Sequence, residues 1–194
     1  IVAGKGSNGE DGKVAAKRLE RRGVRVQLID ADKAPKELPD ADLVIDAAYG
    51  TGLKRPYEAP ITNSNVLSVD IPSGVDGNTG GVDSVATQAK ETLFLGLPKL
   101  GFFQNNGYAS IGKLHGVDFG MDVRFIHEAK AAAYLVNEKA LPELLPPIKR
   151  SRHKYQAGYV IALAGSPGMP GAAMLSCLAA LRAGVGVVRL FHPK

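Results

Sequence analysis

Ile1-Val2-Ala3-Gly4-Lys5-Gly6-Ser7-Asn8-Gly9-Glu10-Asp11-Gly12 passes from three apolar residues directly into a glycine-rich loop. Such an opening is the end of a buried strand. Beyond it, Asp11 to Arg22 places Val14, Ala15 and Leu19 at helical spacing, with Lys13, Lys17, Arg18, Arg21 and Arg22 on the other positions, which predicts an amphipathic helix with a basic outer face. Gly23 stops it. Val24 to Ile29 then reads as a strand ending in Asp30, and Asp42 to Ala47 and Val66 to Ile71 as short apolar strands buried on both faces. From Leu53 to Val66 about a dozen residues are available, close to the minimum for a parallel crossover, so that connection is predicted to be a loop. Further strands are expected at Glu91 to Leu95 and Gly116 to Phe119, separated by a Gly/Asn-rich loop from Gly101 to Gly107. Strands and helices in this order predict an α/β domain with a doubly wound, mostly parallel sheet and flanking helices.

The 194 residues are 45% hydrophobic and 22% charged, the balance of a globular chain and not of a disordered one. A net charge of +5 favours anionic small ligands but is too small to argue for nucleic acid. The single cysteine, Cys177, excludes a disulfide framework and suits a reducing, cytoplasmic setting. No apolar run approaches the ~20 residues of a membrane span. The chain starts inside a strand without methionine, which reads as a piece of a longer protein. Residues 129–152 carry Leu141-Pro142 and Leu145-Pro146-Pro147-Ile148 among charges and read as a linker. It separates a first domain, 1–128, from the start of a second, 153–194. There Tyr159 to Ala164 is expected as strand, Gly165 to Gly171 as loop, Ala172 to Ala183 as helix and Gly186 to Phe191 as strand.

Three segments carry candidate chemistry. The glycine loop satisfies G-x-G-x-x-G, and Asp30 follows Gly9 by 21 residues, the spacing of a dinucleotide-binding turn with its ribose-binding acid. Asp11 and Asn8 put a carboxylate and a polar side chain where that motif wants neither. A phosphate-binding Walker loop fails, because Ser7 stands where its first glycine belongs and Val14 where its hydroxyl belongs. In the second segment, Asp46-Ala47-Ala48-Tyr49-Gly50-Thr51-Gly52, Asp46 lies at the carboxyl end of a strand, the rim where open α/β sheets bind ligands. The third, Leu67-Ser68-Val69-Asp70-Ile71-Pro72-Ser73-Gly74, sets Asp70 between apolar neighbours. Asp70 is therefore either desolvated, which raises a carboxyl pKa toward the range of acid–base work, or aimed into a cleft. Asn8, Asp46, Asp70 and Ser73 thus reach one sheet edge, an oxygen-rich set suited to a hard cation and not to zinc. The four histidines form no zinc-type spacing.

Taken in order, Gly4 to Gly12, Asp46 to Gly52 and Ser68 to Gly80, with Lys99 before a Gly-aromatic loop, resemble the NAD(P)H-hydrate epimerase family, the YjeF N-terminal domain. The likeness spans roughly residues 1–125. It implies a Rossmann-like fold, contacts from Ser7, Asn8, Gly9, Glu10, Asp11, Gly50, Thr51, Gly52, Leu53, Lys54, Arg55, Pro56 and Asp70 to hydrated NADH or NADPH, and a potassium ion on Asn8, Asp46 and Ser73. The activity implied is interconversion of the R and S hydrates at C6, with Asp70 as the acid–base group. Ser7 and Glu10 depart from the family's loop, and Glu10, standing for a glycine, is expected to crowd a phosphate or to force a positive φ. The tail resembles the start of an ADP- or ATP-dependent NAD(P)H-hydrate dehydratase of ribokinase-like fold. The residues that carry the likeness are His153-Lys154, Gly158, the Gly165-Ser166 loop, Met169, Gly171-Ala172-Ala173 and Leu181-Arg182-Ala183-Gly184. From it Ala172 is carried over as a substrate contact. A homo-oligomer is compatible with this reading. The alternatives are an NAD-dependent oxidoreductase, resting on G-x-G-x-x-G and Asp30, and a non-catalytic binding module of the same fold.

Overall fold

The computed structural model describes residues 1–193. Contacts divide the chain into a unit over Ile1–Tyr134 and a second from Leu135 onward.

The first unit is built on six parallel strands in the order β2-β1-β3-β4-β5-β6. They are β1 (Val2–Ala3), β2 (Ile29–Asp30), β3 (Val44–Ala47), β4 (Val66–Val69), β5 (Glu91–Leu95) and β6 (Lys113–Val117). All four residues of β3 are buried, as expected for a central strand covered on both faces. Chain order reverses between β1 and β3, so the switch point where doubly wound sheets hold their ligands lies at the ends of these two strands. Helix α1 (Ser7–Arg21) follows β1, and α2 (Asn105–Ser110) and α3 (Val123–Glu128) are short. The crossover from β3 to β4 contains no helix, as its length required.

Four local expectations change. The strand expected at Val24 to Ile29 shrinks to Ile29–Asp30, because this edge strand pairs only with the two residues of β1. The last strand lies at Lys113–Val117 and not at Gly116 to Phe119. Its alternating polar residues belong to an exposed sheet edge, and Gly116 is inside it because the Phe94 ring occupies the space: a methyl there would stand 2.9 Å from Phe94 Cζ. The Gly101 to Gly107 stretch folds into a 3-10 turn (Leu100–Phe103) and the start of α2, anchored by fully buried Phe102 against Phe94. Finally, α1 starts at Ser7, earlier than Asp11, and does not bury Val14, which is 51% exposed.

Its buried residues are Asn8, Gly9, Gly12 and Ala16. Small residues, not large apolar ones, set the packing distance. A methyl on Gly12 would stand 2.6 Å from Ala47 Cβ, and one on Gly9 would stand 1.9 Å from the Gly4 carbonyl oxygen. Gly9→Ala therefore drives backbone into backbone and is expected to cost about 3 kcal/mol. Gly6→Ala, with nothing within 4 Å of the added carbon, should cost under about 1 kcal/mol. Urea unfolding of the two variants measures the difference.

The opposite face of the sheet packs Val2, Val44 and Val66 against Leu38, Tyr57 and Ala31 from the extended connections. A cavity of about 270 Å³ remains there. The Tyr57 hydroxyl is buried without a hydrogen-bond partner, and burial above all, with the Asp46 charge second, pushes its pKa well up. The folded state then keeps a proton that the unfolded chain gives up above about pH 10. Stability from this group is complete below that pH and falls as pH climbs through the alkaline range. Tyr57→Phe should match the parent or gain about 1 kcal/mol at pH 7, and should lose less between pH 10 and 12 in denaturant titrations.

In the second unit, β7 (Tyr159–Leu163) and β8 (Val187–Phe191) pair in parallel from Tyr159↔Val187 to Leu163↔Phe191. Helix α5 (Gly171–Arg182) joins them, and α4 (Leu141–Leu144) is one short turn. Strands and helix fall within a residue or two of their expected places. Among the described residues no helix is long and apolar enough to cross a membrane.

Candidate functional site

A cleft of about 680 Å³ opens at the switch point of the first unit. Its walls include Ser7, Asn8 and Asp11 from the start of α1, Gly50 to Arg55 from the loop after β3, and Asp70 after β4. Three stretches far apart in sequence thus meet at the carboxyl ends of β1, β3 and β4. Gly9, Glu10 and Pro56, expected as contacts, are not among the lining residues. Gly9 is the close-packing residue described above. Glu10 keeps ordinary helical backbone and turns its carboxylate to Lys13 at 2.6 Å, so the positive φ that was one of its two expected outcomes does not occur. Ala172 lies exposed on α5 of the second unit.

Asp70 is held by its backbone. Its φ is +68°, uncommon for a residue with a side chain and better tolerated by Asp or Asn than by others. The Ile71 N–H reaches back to the Val69 carbonyl at 2.9 Å, and the Asp70 N–H donates to Leu93 at 2.7 Å. This tight three-residue turn swings the carboxylate off the strand and into the cleft. A methyl on Gly50 would lie 3.3 Å from Asp70 Oδ2 and 3.6 Å from Asn8 Cβ, so three cleft residues share one small volume. The carboxylate is not left among apolar neighbours. The Lys99 ammonium forms a salt bridge to it, with only 19% and 18% of the two side chains exposed.

Lys99 is delivered by long-range packing. Gly101 donates to Gly77 at 2.8 Å and Gly107 to Gly80 at 2.9 Å, so the turn that follows Asp70 clamps the Lys99 loop. Asp76 shapes that turn by accepting from the N–H groups of Asn78 and Thr79 and the Thr79 hydroxyl, which together hold its carboxyl below the usual range. The sequence offered Lys99 as part of a pattern but gave no sign of its partner.

Asp46 is 3% exposed and ties the rim together. It accepts from the Ser73 hydroxyl at 2.6 Å, the Ser73 N–H at 2.8 Å, the Ser68 hydroxyl at 3.0 Å and the Ala48 N–H at 3.2 Å. Asp46 and Ser73 are therefore in direct contact. Asn8 bonds to neither: both polar atoms of its amide are buried without a partner. Among the described residues no group of three His, Cys, Asp or Glu could hold a metal. A hard monovalent cation makes different demands, and oxygen donors of the kinds it takes are present, with Asn8 lining the cleft and Asp46 the cavity on the other face of the sheet. Asp46 is a buried carboxylate with no basic group bonded to it, and Asn8 offers an unclaimed amide oxygen. The first turn of α1 adds an uncapped helix end, whose N–H groups favour an anion.

At the outer edge of the cleft, a cluster appears that no sequence pattern announced. Asp32, just past β2, receives Lys5 Nζ at 2.8 Å, Arg55 Nη2 at 2.5 Å and the Tyr49 hydroxyl at 2.6 Å. Bonded first by Lys5, then by Tyr49 and Arg55, its carboxyl is held well below the usual carboxylate range.

Known proteins are similar to this chain in sequence. The family described as YjeF-related protein N-terminus matches residues 27–101. Those residues belong to that family. The YjeF-related match covers the loop after β3 and the Asp70 turn, and longer alignments take in the rest. A bifunctional NAD(P)H-hydrate repair enzyme of Thermofilum pendens is 32% identical over 98% of this chain, covering 43% of its own length. Enzymes of the same name from Synechocystis and Moorella thermoacetica are 30% and 31% identical over the whole chain, each covered to 44%. The chain spans less than half the length of these curated relatives.

Proposed function

We propose that the first unit is an NAD(P)H-hydrate epimerase, interconverting the R and S forms of hydrated NADH or NADPH at C6. The observation that carries this is the turn at Asp70, which presents a carboxylate bound to Lys99 inside a cleft walled by an uncapped helix end. The substrate is a carbinolamine: C6 bears a hydroxyl and is bonded to the ring nitrogen. Its epimers exchange if the C6–O bond breaks and water returns to the other face, or if the ring C–N bond opens and recloses. Each route needs a proton given to the departing atom and taken back on return, with charge steadied between. Asp70 is the acid–base group, and Lys99 orients it and offsets the charge that it carries.

Ser7, Asn8, Asp11 and Gly50 to Arg55 bind the dinucleotide, its diphosphate against the α1 terminus. Asn8, Asp46 and Ser73 would hold a potassium ion, which when bound would compensate the buried Asp46 charge and offset anionic groups crowded at the same mouth. The second unit is the beginning of an ADP- or ATP-dependent dehydratase that returns the S hydrate to NAD(P)H, with Ala172 as a substrate contact there. Support for this coupling is the name of the relatives, which describes two functions in one protein.

The test follows R/S equilibration of purified hydrated NADH by chromatography with the full chain. The expected outcome is epimerisation far above the buffer rate in potassium and a marked loss when sodium replaces it. A rate equal to buffer in both salts sinks the proposal.

A further inference from the structure

The Asp32 cluster has a makeup that stability does not explain. Lys5 and Arg55 have 78% and 63% of their side chains exposed, and exposed ion pairs contribute little to folding. Yet the geometry is exact in its economy. One carboxylate uses both oxygens to hold two cations, and Arg55 is fixed a second time by the Tyr49 hydroxyl at 2.7 Å and by stacking 5.4 Å over that ring. Only Nη2 of the guanidinium is engaged. Its Nε and Nη1 donors, and two of the three ammonium protons of Lys5, have no acceptor among the described residues. Asp30, the other acid nearby, accepts the Asp32 N–H at 2.9 Å through one oxygen, and its charge adds to that of Asp32 beside Lys5.

The position is specific too. Arg55 and Tyr49 line the cleft, while Asp32 follows β2, the strand beside β1 on the far side of the switch point. In doubly wound sheets a dinucleotide whose diphosphate sits at the first helix directs its ribose toward that strand, and a basic residue there accommodates a 2′-phosphate. We propose that Lys5 and Arg55, anchored together by Asp32, form a receptor for a phosphate monoester on the substrate ribose, making this chain selective for the phosphorylated dinucleotide hydrate. This rests on the dinucleotide reading of the cleft. Asp32 is a positioning residue: it presents the free N–H groups, and two cations on one carboxylate meet a dianion at once.

Calorimetric titration of the full chain with adenosine 2′,5′-bisphosphate and with adenosine 5′-monophosphate tests it in about 0.1 M salt. The bisphosphate should bind about tenfold more tightly. Lys5→Ala should bring the two probes within about twofold of each other and leave monophosphate affinity unchanged, while Lys5→Arg keeps the preference. Asp32→Asn should weaken bisphosphate binding, whereas tightening would show Asp32 competing with the phosphate and overturn its role. Equal binding of both probes by the parent chain, no binding of the bisphosphate at millimolar concentration, or a preference surviving in Lys5→Ala with Arg55→Ala overturns the proposal. Epimerisation assays on hydrated NADH and NADPH separate the two levels. Turnover with equal probe binding removes only the receptor, and preference without turnover removes only the activity.

Discussion

Asp70→Asn should reduce accelerated epimerisation by about 10²- to 10⁴-fold, the range of a positioned acid–base group, while the folded state persists. The substitution is chosen on backbone grounds. At φ +68° a side chain of another shape adds strain to a turn already held by the Ile71-to-Val69 and Asp70-to-Leu93 bonds, whereas asparagine tolerates this region as aspartate does. An amide oxygen can still accept from Lys99, so the loop carrying that lysine keeps a partner. What disappears is the group able to exchange a proton with the C6 oxygen or ring nitrogen. Circular dichroism and thermal unfolding should overlay the parent, and chromatographic rates should approach buffer. Undiminished turnover would take Asp70 out of the mechanism and leave Lys99 as the group to examine.

Asp46→Ala should have the largest effect on stability, about 3–5 kcal/mol. The carboxylate accepts four hydrogen bonds, three of them from Ser68 and Ser73. It thereby joins the ends of β3 and β4 to the turn that aims Asp70. Truncation leaves buried donors without acceptors, each costing about 1–3 kcal/mol. Asp46→Asn, which keeps one acceptor oxygen but turns an N–H pair toward other donors, should fall between parent and alanine. Urea unfolding gives the three values. If alanine lies within about 1 kcal/mol of the parent, the network does not organise this rim. Should alanine prove too unstable to purify, the asparagine variant still decides the matter, since full stability there would contradict the role given to the carboxylate.

Much of the first unit could be read along the chain because its signals are local. Apolar runs at Asp42 to Ala47 and Val66 to Ile71 announced central strands, and the short distance from Leu53 to Val66 excluded a crossover helix. Where local signals were mixed, they misled. Lys113 and His115 hid an edge strand, in which Lys113 is exposed while half-buried His115 sets its Nε2 2.8 Å from Glu91. Val14 looked like the buried face of α1, but Gly9, Gly12 and Ala16 bury instead, because a helix seated this near a strand excludes larger side chains. The family resemblance implied substrate contacts from Ser7 to Asp11, Gly50 to Pro56 and Asp70, and of these Ser7, Asn8, Asp11, Gly50 to Arg55 and Asp70 line the cleft. Glu10 takes helical backbone and not a positive φ because α1 begins at Ser7, whereas the glycines around it offered two starting points.

By itself, the amino-acid sequence determined the parallel α/β architecture, the order of the strands that carry chemistry and the oxygen-rich character of the residues at their ends. These follow from periodicity, glycine placement and residue type, all properties of neighbours in the chain. Tertiary structure alone decided that Lys99 meets Asp70, that the Asn8 amide is buried with no partner while Asp46 accepts four hydrogen bonds, and that Asp32 gathers Lys5, Tyr49 and Arg55. Each of these depends on how two or three distant segments are set against one another, and that distance is fixed by sheet register and helix seating, which no single stretch of sequence contains.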